Sequence, residues 1–169
     1  AIDSFLSTDH GNSAFFRLEK AGEQLLMVES VSVLECVAPE CLHADRFLPA
    51  KPIRQIVDQK GSNRTEDFTV ERIRQEGRPG PSTFLREKST ALKATVPGLL
   101  EVANNFSEDI ADEYRKEAIE MMEEKYGHEI DRLIRLKEMG HPVRESEIET
   151  AKNEKAELKR YLTDAPLRT

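Results

Sequence analysis

The chain has 169 residues and a mass of 19.2 kDa, enough for one domain with a core or for one compact part plus an extended arm, and short for a multidomain enzyme. Hydrophobic residues make up 38%, charged residues 34% and Trp is absent, so the buried fraction is modest and the profile suits long exposed helices. A formal net charge of −7 supplies a phosphate-binding surface only locally, two cysteines give no disulfide framework, and no apolar run reaches the roughly 18 residues of a membrane span. A cytoplasmic setting is expected. The first residue is Ala1 and the opening resembles no signal segment, so the chain reads as a piece excised from a larger protein.

In chain order, residues 1–60 favour strands. A short amphipathic start (Ile2, Phe5, Leu6) leads to a turn at His10, Gly11 and Asn12, then to an aromatic-rich stretch at 13–20 and a hairpin turn at Ala21, Gly22 and Glu23. Residues 24–38, "QLLMVESVSVLECVA", read as one long strand with Val31, Val33 and Val37 on one face and Ser32, Leu34 and Cys36 on the other. Pro39 is expected to end it, and a strand over 52–57 completes an antiparallel meander.

Residues 60–82 combine charge, Gly and Pro, and their "GRPGP" run fits neither a helix interior nor a central strand. This places a boundary between a β-rich part, 1–81, and a helical part, 82–169, within one structural unit. Residues 66–76 fit a strand or a helical turn equally.

From Thr83 the period becomes helical. Leu99, Ala103, Phe106, Ile110, Tyr114, Ala118, Met122, Tyr126, Ile130 and Leu133 draw one stripe, predicting a helix over 97–139 with Pro97 and Gly98 as a kink or fresh start. Gly140, His141 and Pro142 break it. Ser146 with Glu149 has capping-box spacing for a second helix, whose seam is Ile148, Ala151, Lys155, Leu158 and Leu162. The fold class is therefore α+β: an antiparallel meander followed by a long antiparallel helical hairpin.

The chemistry-bearing residues cluster at 36–58. Cys36, Cys41 and His43, followed by Asp45, are ligand types that tetrahedral zinc accepts, but the spacing is not that of a knuckle and no second pair exists, so no metal is expected. Cys36 reads instead as a small buried hydrophobe and Cys41 as an incidental thiol. No glycine-rich phosphate loop occurs, so the chain is expected to bind no cofactor and to hydrolyse no ATP by itself. Arg46, Lys51 and Arg54 form the one compact basic cluster near a turn. They either anchor Asp45 and Asp58 or touch a phosphate backbone or an acidic protein.

The segment "ECVAPECLHADRFLPAKPIRQIVDQKG", residues 35–61, resembles the signature block in the C-terminal domain of the RapA family, bacterial Swi/Snf-type ATPases that associate with RNA polymerase. The matching residues are Glu35, Val37, Ala38, Pro39, Ala44, Asp45, Arg46, Phe47, Leu48, Pro49, Pro52, Ile53 and Arg54. The opening "AIDSFLSTDHGNSA" and the looser pattern "RLxxLKxxxxxxRxxEI", from Arg132 to Ile148, are similar to the family too. The resemblance implies an ATP-dependent remodeller that promotes polymerase recycling, with its ATP-binding motifs upstream. It carries no catalytic or metal-binding residue onto this chain. It implies RNA polymerase and other domains of the same chain as partners, DNA or RNA as partners open to the full-length protein, and no membrane. It also implies an apolar continuation past the last helix, so a terminal strand is expected to be missing here.

Residues 36–58 are then expected to be a structural joint. Asp45, Arg46, Phe47, Leu48 and Arg54 form the candidate structural or docking loop, with Arg46 pinned by an internal carboxylate. The leading reading is a non-catalytic interaction and scaffold domain. The alternative is a nucleic-acid-contacting module using Arg46, Lys51, Arg54, Arg64, Arg72, Arg74 and Arg78, and a stand-alone hydrolase is third.

Overall fold

A computed structural model describes residues 14–18 and 26–168. The expected amphipathic start, the turn at His10, Gly11 and Asn12, and the turn at Ala21, Gly22 and Glu23 lie outside the described residues. In order, the elements are β1 (Phe16–Leu18), β2 (Met27–Leu34), β3 (Lys51–Asp58), α1 (Val70–Glu76), β4 (Gly77–Pro79), α2 (Ser82–Glu87), α3 (Ser89–Glu138), α4 (Glu145–Thr163) and β5 (Leu167–Arg168). Antiparallel strands followed by long helices make the class α+β. The chain divides into two compact units, Ala1–Glu29 with Gln55–Ala103, and Ser30–Arg54 with Asn104–Thr169. Neither unit ends at residue 81, because β2, β3 and α3 each run through both.

In the first unit β1 pairs antiparallel with β4, opposing Phe16 to Pro79, Arg17 to Arg78 and Leu18 to Gly77. The expected hairpin of β1 with β2 gives way to this pairing across some sixty residues of chain. The "GRPGP" run is accommodated because a two-stranded ribbon has only edges, where a proline forfeits no obligatory ladder bond. Of residues 66–76, Val70–Glu76 form the helix α1, and 66–69 are a turn that leads into it. The Thr69 hydroxyl accepts from the Arg72 amide at 3.2 Å, capping α1.

At the end of β3 the chain reverses through Gly61, whose φ of 82° suits a residue without a Cβ. The returning backbone is held by the Asp58 amide on the Ser62 carbonyl at 3.0 Å and the Arg64 amide on the Ile56 carbonyl at 2.7 Å. Ile56, Val57, Phe68, Leu99 and Ala103 are buried.

The second unit is built on the helical hairpin. Glu123 meets Lys159 at 2.6 Å, the Tyr126 hydroxyl donates to Glu154 at 3.3 Å, and Lys137 pairs with Glu145. Numbers rise along α3 as they fall along α4, which is the antiparallel register. Near the turn, with Gly140 at φ 83°, Leu133 packs with Ile148 and Ala151. The main core joins Ala111, Ala118 and Met122 of α3 to Leu158 and Leu162 of α4, with Leu34, Leu42, Phe47, Leu48 and Ile53 laid against them.

Three details differ from the sequence reading. First, α3 begins at Ser89 and passes through Pro97 without a break. Pro97 and Gly98 are exposed, so the carbonyl left without its donor is open to water. Second, the capping box of Ser146 with Glu149 does not form. Arg144 occupies the cap without a side-chain bond, the Ser146 carbonyl accepts from Thr150, and Glu149 pairs with Lys152. Third, β2 ends at Leu34 rather than Pro39, where β5 pairs Val33 with Arg168 and Leu34 with Leu167. The sheet order is β3-β2-β5, so the end of the chain does contribute a strand. The alternation along β2 holds: Ser30, Ser32 and Leu34 are buried while Val31, Val33 and Val37 are exposed.

Candidate functional site

Residues 39–48 form two consecutive 3-10 turns, Glu40–Leu42 and Ala44–Arg46, joined at His43. His43 sits in the left-handed region at φ 48° and ψ 46°, a conformation that His tolerates better than most side chains. Its amide donates to the Glu40 carbonyl at 3.0 Å, and the amides of Arg46, Phe47 and Leu48 continue the series onto His43 and Ala44 at 2.9–3.1 Å. The amides of His43, Arg46, Phe47 and Leu48 are thus bonded within the turn. Its side chains divide sharply: Leu42, Ala44, Phe47 and Leu48 are buried in the hairpin core, whereas Cys41, His43, Asp45 and Arg46 are exposed. Phe47 lies 6.4 Å from the Tyr126 ring at 42°, with the Lys125 ammonium 5.6 Å from its own ring. Four apolar anchors hold one face of the loop, and the other carries polar groups.

The expected pinning of Arg46 is corrected by this geometry. Among the described residues Arg46 makes no ion pair with Asp45 or Asp58. Asp58 is instead buried in the first unit, where its carboxylate accepts from the Lys60 amide at 2.9 Å and the Ser62 amide at 3.0 Å. The Ser62 bond leads in pulling its pKa down, aided by the Lys60 amide and the Arg64 and Lys60 charges, and burial opposes the shift. Arg54, half-buried on β3, has contacts of its own.

The basic residues expected to track a phosphate backbone are largely engaged within the chain. Lys51 places its ammonium 3.8 Å from the centre of the Tyr114 ring. Arg64 pairs with Asp67 at 2.8 Å, and Arg72 pairs with Glu76 at 3.2 Å while stacking 4.6 Å over Phe68. Arg64 and Arg72 thus have carboxylate partners within the chain, whereas the ring contact orients Lys51 without neutralising it.

The Cys36 thiol donates to the Tyr161 carbonyl in the last turn of α4 at 3.4 Å, and burial pushes its pKa up. Cys41 is exposed. Cys36, Pro39, Glu40, His43 and Asp45 border a shallow depression, and among the described residues no group of three His, Cys, Asp or Glu side chains is placed to hold a metal.

Two features escaped the sequence reading. Arg115, whose side chain is 14% exposed, donates through Nε and Nη2 to the Ala165 carbonyl at 3.0 and 2.8 Å, and through Nη1 to Glu108 and Asp112 at 3.0 and 2.6 Å. It fastens the chain just past α4 to α3, and a partner fifty positions away leaves no local signal. In the first unit buried Gln55 accepts from Asn63 Nδ2 at 2.9 Å and the Thr65 hydroxyl at 3.1 Å, fixing the segment that returns along β3. The polar run of Ser62, Asn63 and Thr65 was the available cue.

The family model described as RNA polymerase recycling family C-terminal matches residues 1–169. RNA polymerase-associated protein RapA of Proteus mirabilis (strain HI4320) is 28% identical over 169 residues, covering 99% of this chain and 18% of its own length. The protein of that name from Vibrio campbellii (strain ATCC BAA-1116) is 26% identical over 166 residues, 97% of this chain and 17% of its own. That from Serratia proteamaculans (strain 568) is 29% identical over 150 residues, 88% and 16% respectively. The chain spans less than a fifth of the length of these relatives. With its whole length matched, the chain belongs to the RNA polymerase recycling family, as its C-terminal region.

Proposed function

We propose that this chain is a non-catalytic interaction and scaffold domain of an RNA polymerase-associated protein that acts in polymerase recycling in the bacterial cytoplasm. The observation that carries the reading is the family match over all 169 residues, together with relatives named for their association with RNA polymerase. ATP binding and hydrolysis belong, on this reading, to the larger parent protein, since this sequence offers no glycine-rich loop to cradle a phosphate. RNA polymerase and other domains of the parent chain are its partners.

The loop at 39–48 supports a docking role. A recognition surface needs a fixed backbone and solvent-facing polar groups, and here Phe47 and Leu48 hold the backbone while Asp45 and Arg46 face outward. Such a loop loses little conformational entropy on binding.

The test is capture of core RNA polymerase by the parent protein with and without this chain. The reading expects the shortened protein to retain less polymerase, and equal capture by both would refute it. Thermal stabilisation of the isolated chain by several degrees in millimolar ATP would separately overturn the absence of a nucleotide site.

A further inference from the structure

We propose that the β1–β4 ribbon and α2 of the first unit form a contact site for single-stranded nucleic acid, built on Arg78, Lys88 and the Phe15–Phe84 aromatic pair. This goes beyond the polymerase-docking reading and uses none of the residues of the loop at 39–48.

The strand register places Arg17 directly opposite Arg78. Directly opposed residues in an antiparallel pair project from the same face, and like charges there are unfavourable unless an anion joins them. Arg17 holds a further contact of its own. Arg78 is exposed, and its guanidinium donates to the Gln75 and Gly77 carbonyls at 3.3 and 3.1 Å. Those bonds orient the group without neutralising it.

The same face carries an aromatic surface. The Gly80 amide donates to the Phe15 carbonyl at 2.9 Å, extending the register so that Phe15 opposes Gly80, two positions from the arginine pair. The Phe15 ring lies across Gly80, where any Cβ would strike it. Phe15 stacks on Phe84 with ring centres 5.5 Å apart and planes 5° from parallel, and Phe84 remains 38% exposed. Lys88, the residue that caps the end of α2, donates its amide to the Phe84 carbonyl at 2.9 Å and is exposed without an ion-pair partner among the described residues.

The local charge has the sign the ligand needs. Residues 72–93 contain six basic and two acidic side chains in a chain of net charge −7. An exposed aromatic beside unneutralised cations matches how proteins hold single strands, with bases on rings and phosphates on cations. A duplex, with its bases already stacked, would leave Phe84 unused.

The test uses fluorescence anisotropy of a labelled oligonucleotide of about 12 nucleotides, single-stranded or annealed, with the whole chain at about 50 mM salt. The single strand is expected to bind more tightly than the duplex, and to weaken steeply as salt rises. Phe84→Ala should weaken binding roughly 5- to 100-fold. Arg78→Glu and Lys88→Glu should each weaken it by about tenfold or more. Lys116→Glu, the same charge change on exposed α3, should leave it within about twofold. Far-UV circular dichroism establishes folding, and Lys88→Glu carries the test should Arg78→Glu misfold. No binding of the single strand, equal binding of the duplex, or equal losses in Lys116→Glu and Lys88→Glu would overturn the proposal.

Discussion

Arg115 and Asp58 are each satisfied by backbone groups that the fold brings to them. Arg115→Ala strands the Ala165 carbonyl and removes bonds to a charged donor, which predicts a loss of about 1.5–3 kcal/mol in urea unfolding. Arg115→Lys should restore only part, because an ammonium cannot reproduce the planar fork. Asp58 yields a prediction in pH. Its folded pKa lies below the ordinary carboxylate value of about 3.9, so in acid the unfolded chain binds more protons and stability rises with pH. The contribution is complete above about pH 4 and disappears as pH falls through the folded pKa. Asp58→Asn should therefore be less stable than the parent at neutral pH, with the gap narrowing below about pH 4. A gap constant from neutral pH to strong acid would show that the Ser62 and Lys60 amides do not favour the charged form.

Among elements, the helical hairpin is the most consequential, and the most legible in the sequence. Every residue of the three-four stripe from Leu99 to Leu133 is buried or half-buried, as are Ile148, Ala151, Lys155, Leu158 and Leu162. One face against solvent imposes a period that residue types must follow. Leu158 is wholly buried within α4, so Leu158→Pro should cost about 3 kcal/mol or more and remove much of the far-UV helical signal. An unchanged spectrum would contradict the hairpin. The ribbon was not legible, because three-residue strands carry too few side chains to show a period and Phe16 finds Pro79 only through the intervening chain. Nor could spacing alone locate the helix start: Ser146 and Glu149 fit a capping box, yet α4 begins at Glu145 and places Ser146 inside the first turn. Thr69, with Glu71 in the following turn, was the cap that formed. Along β2 the alternation was plain, and the expected burial of Cys36 pointed to the face it shares with Ser32 and Leu34, which lies inward while the valines face outward.

At the scale of the molecule, two compact units are each assembled from separated segments of the chain. The burial of Phe47 and Leu48 in the turn at 39–48 was legible from the apolar pair that follows Pro39. The direction of Arg46 was not, because adjacency to Asp45 in sequence does not make an ion pair in space. The central claim is that this loop is held rigid from within and presents Arg46 to a partner. The most direct measurement compares Arg46→Glu with the unaltered parent protein, reading both the melting temperature of this chain and the affinity of the parent for core RNA polymerase. The account predicts melting unchanged to within about 1 °C, since an exposed arginine with no ion pair among the described residues adds little stability, with a several-fold weaker affinity. A clear drop in melting temperature with affinity intact would contradict it, and would return Arg46 to the role of an internal brace.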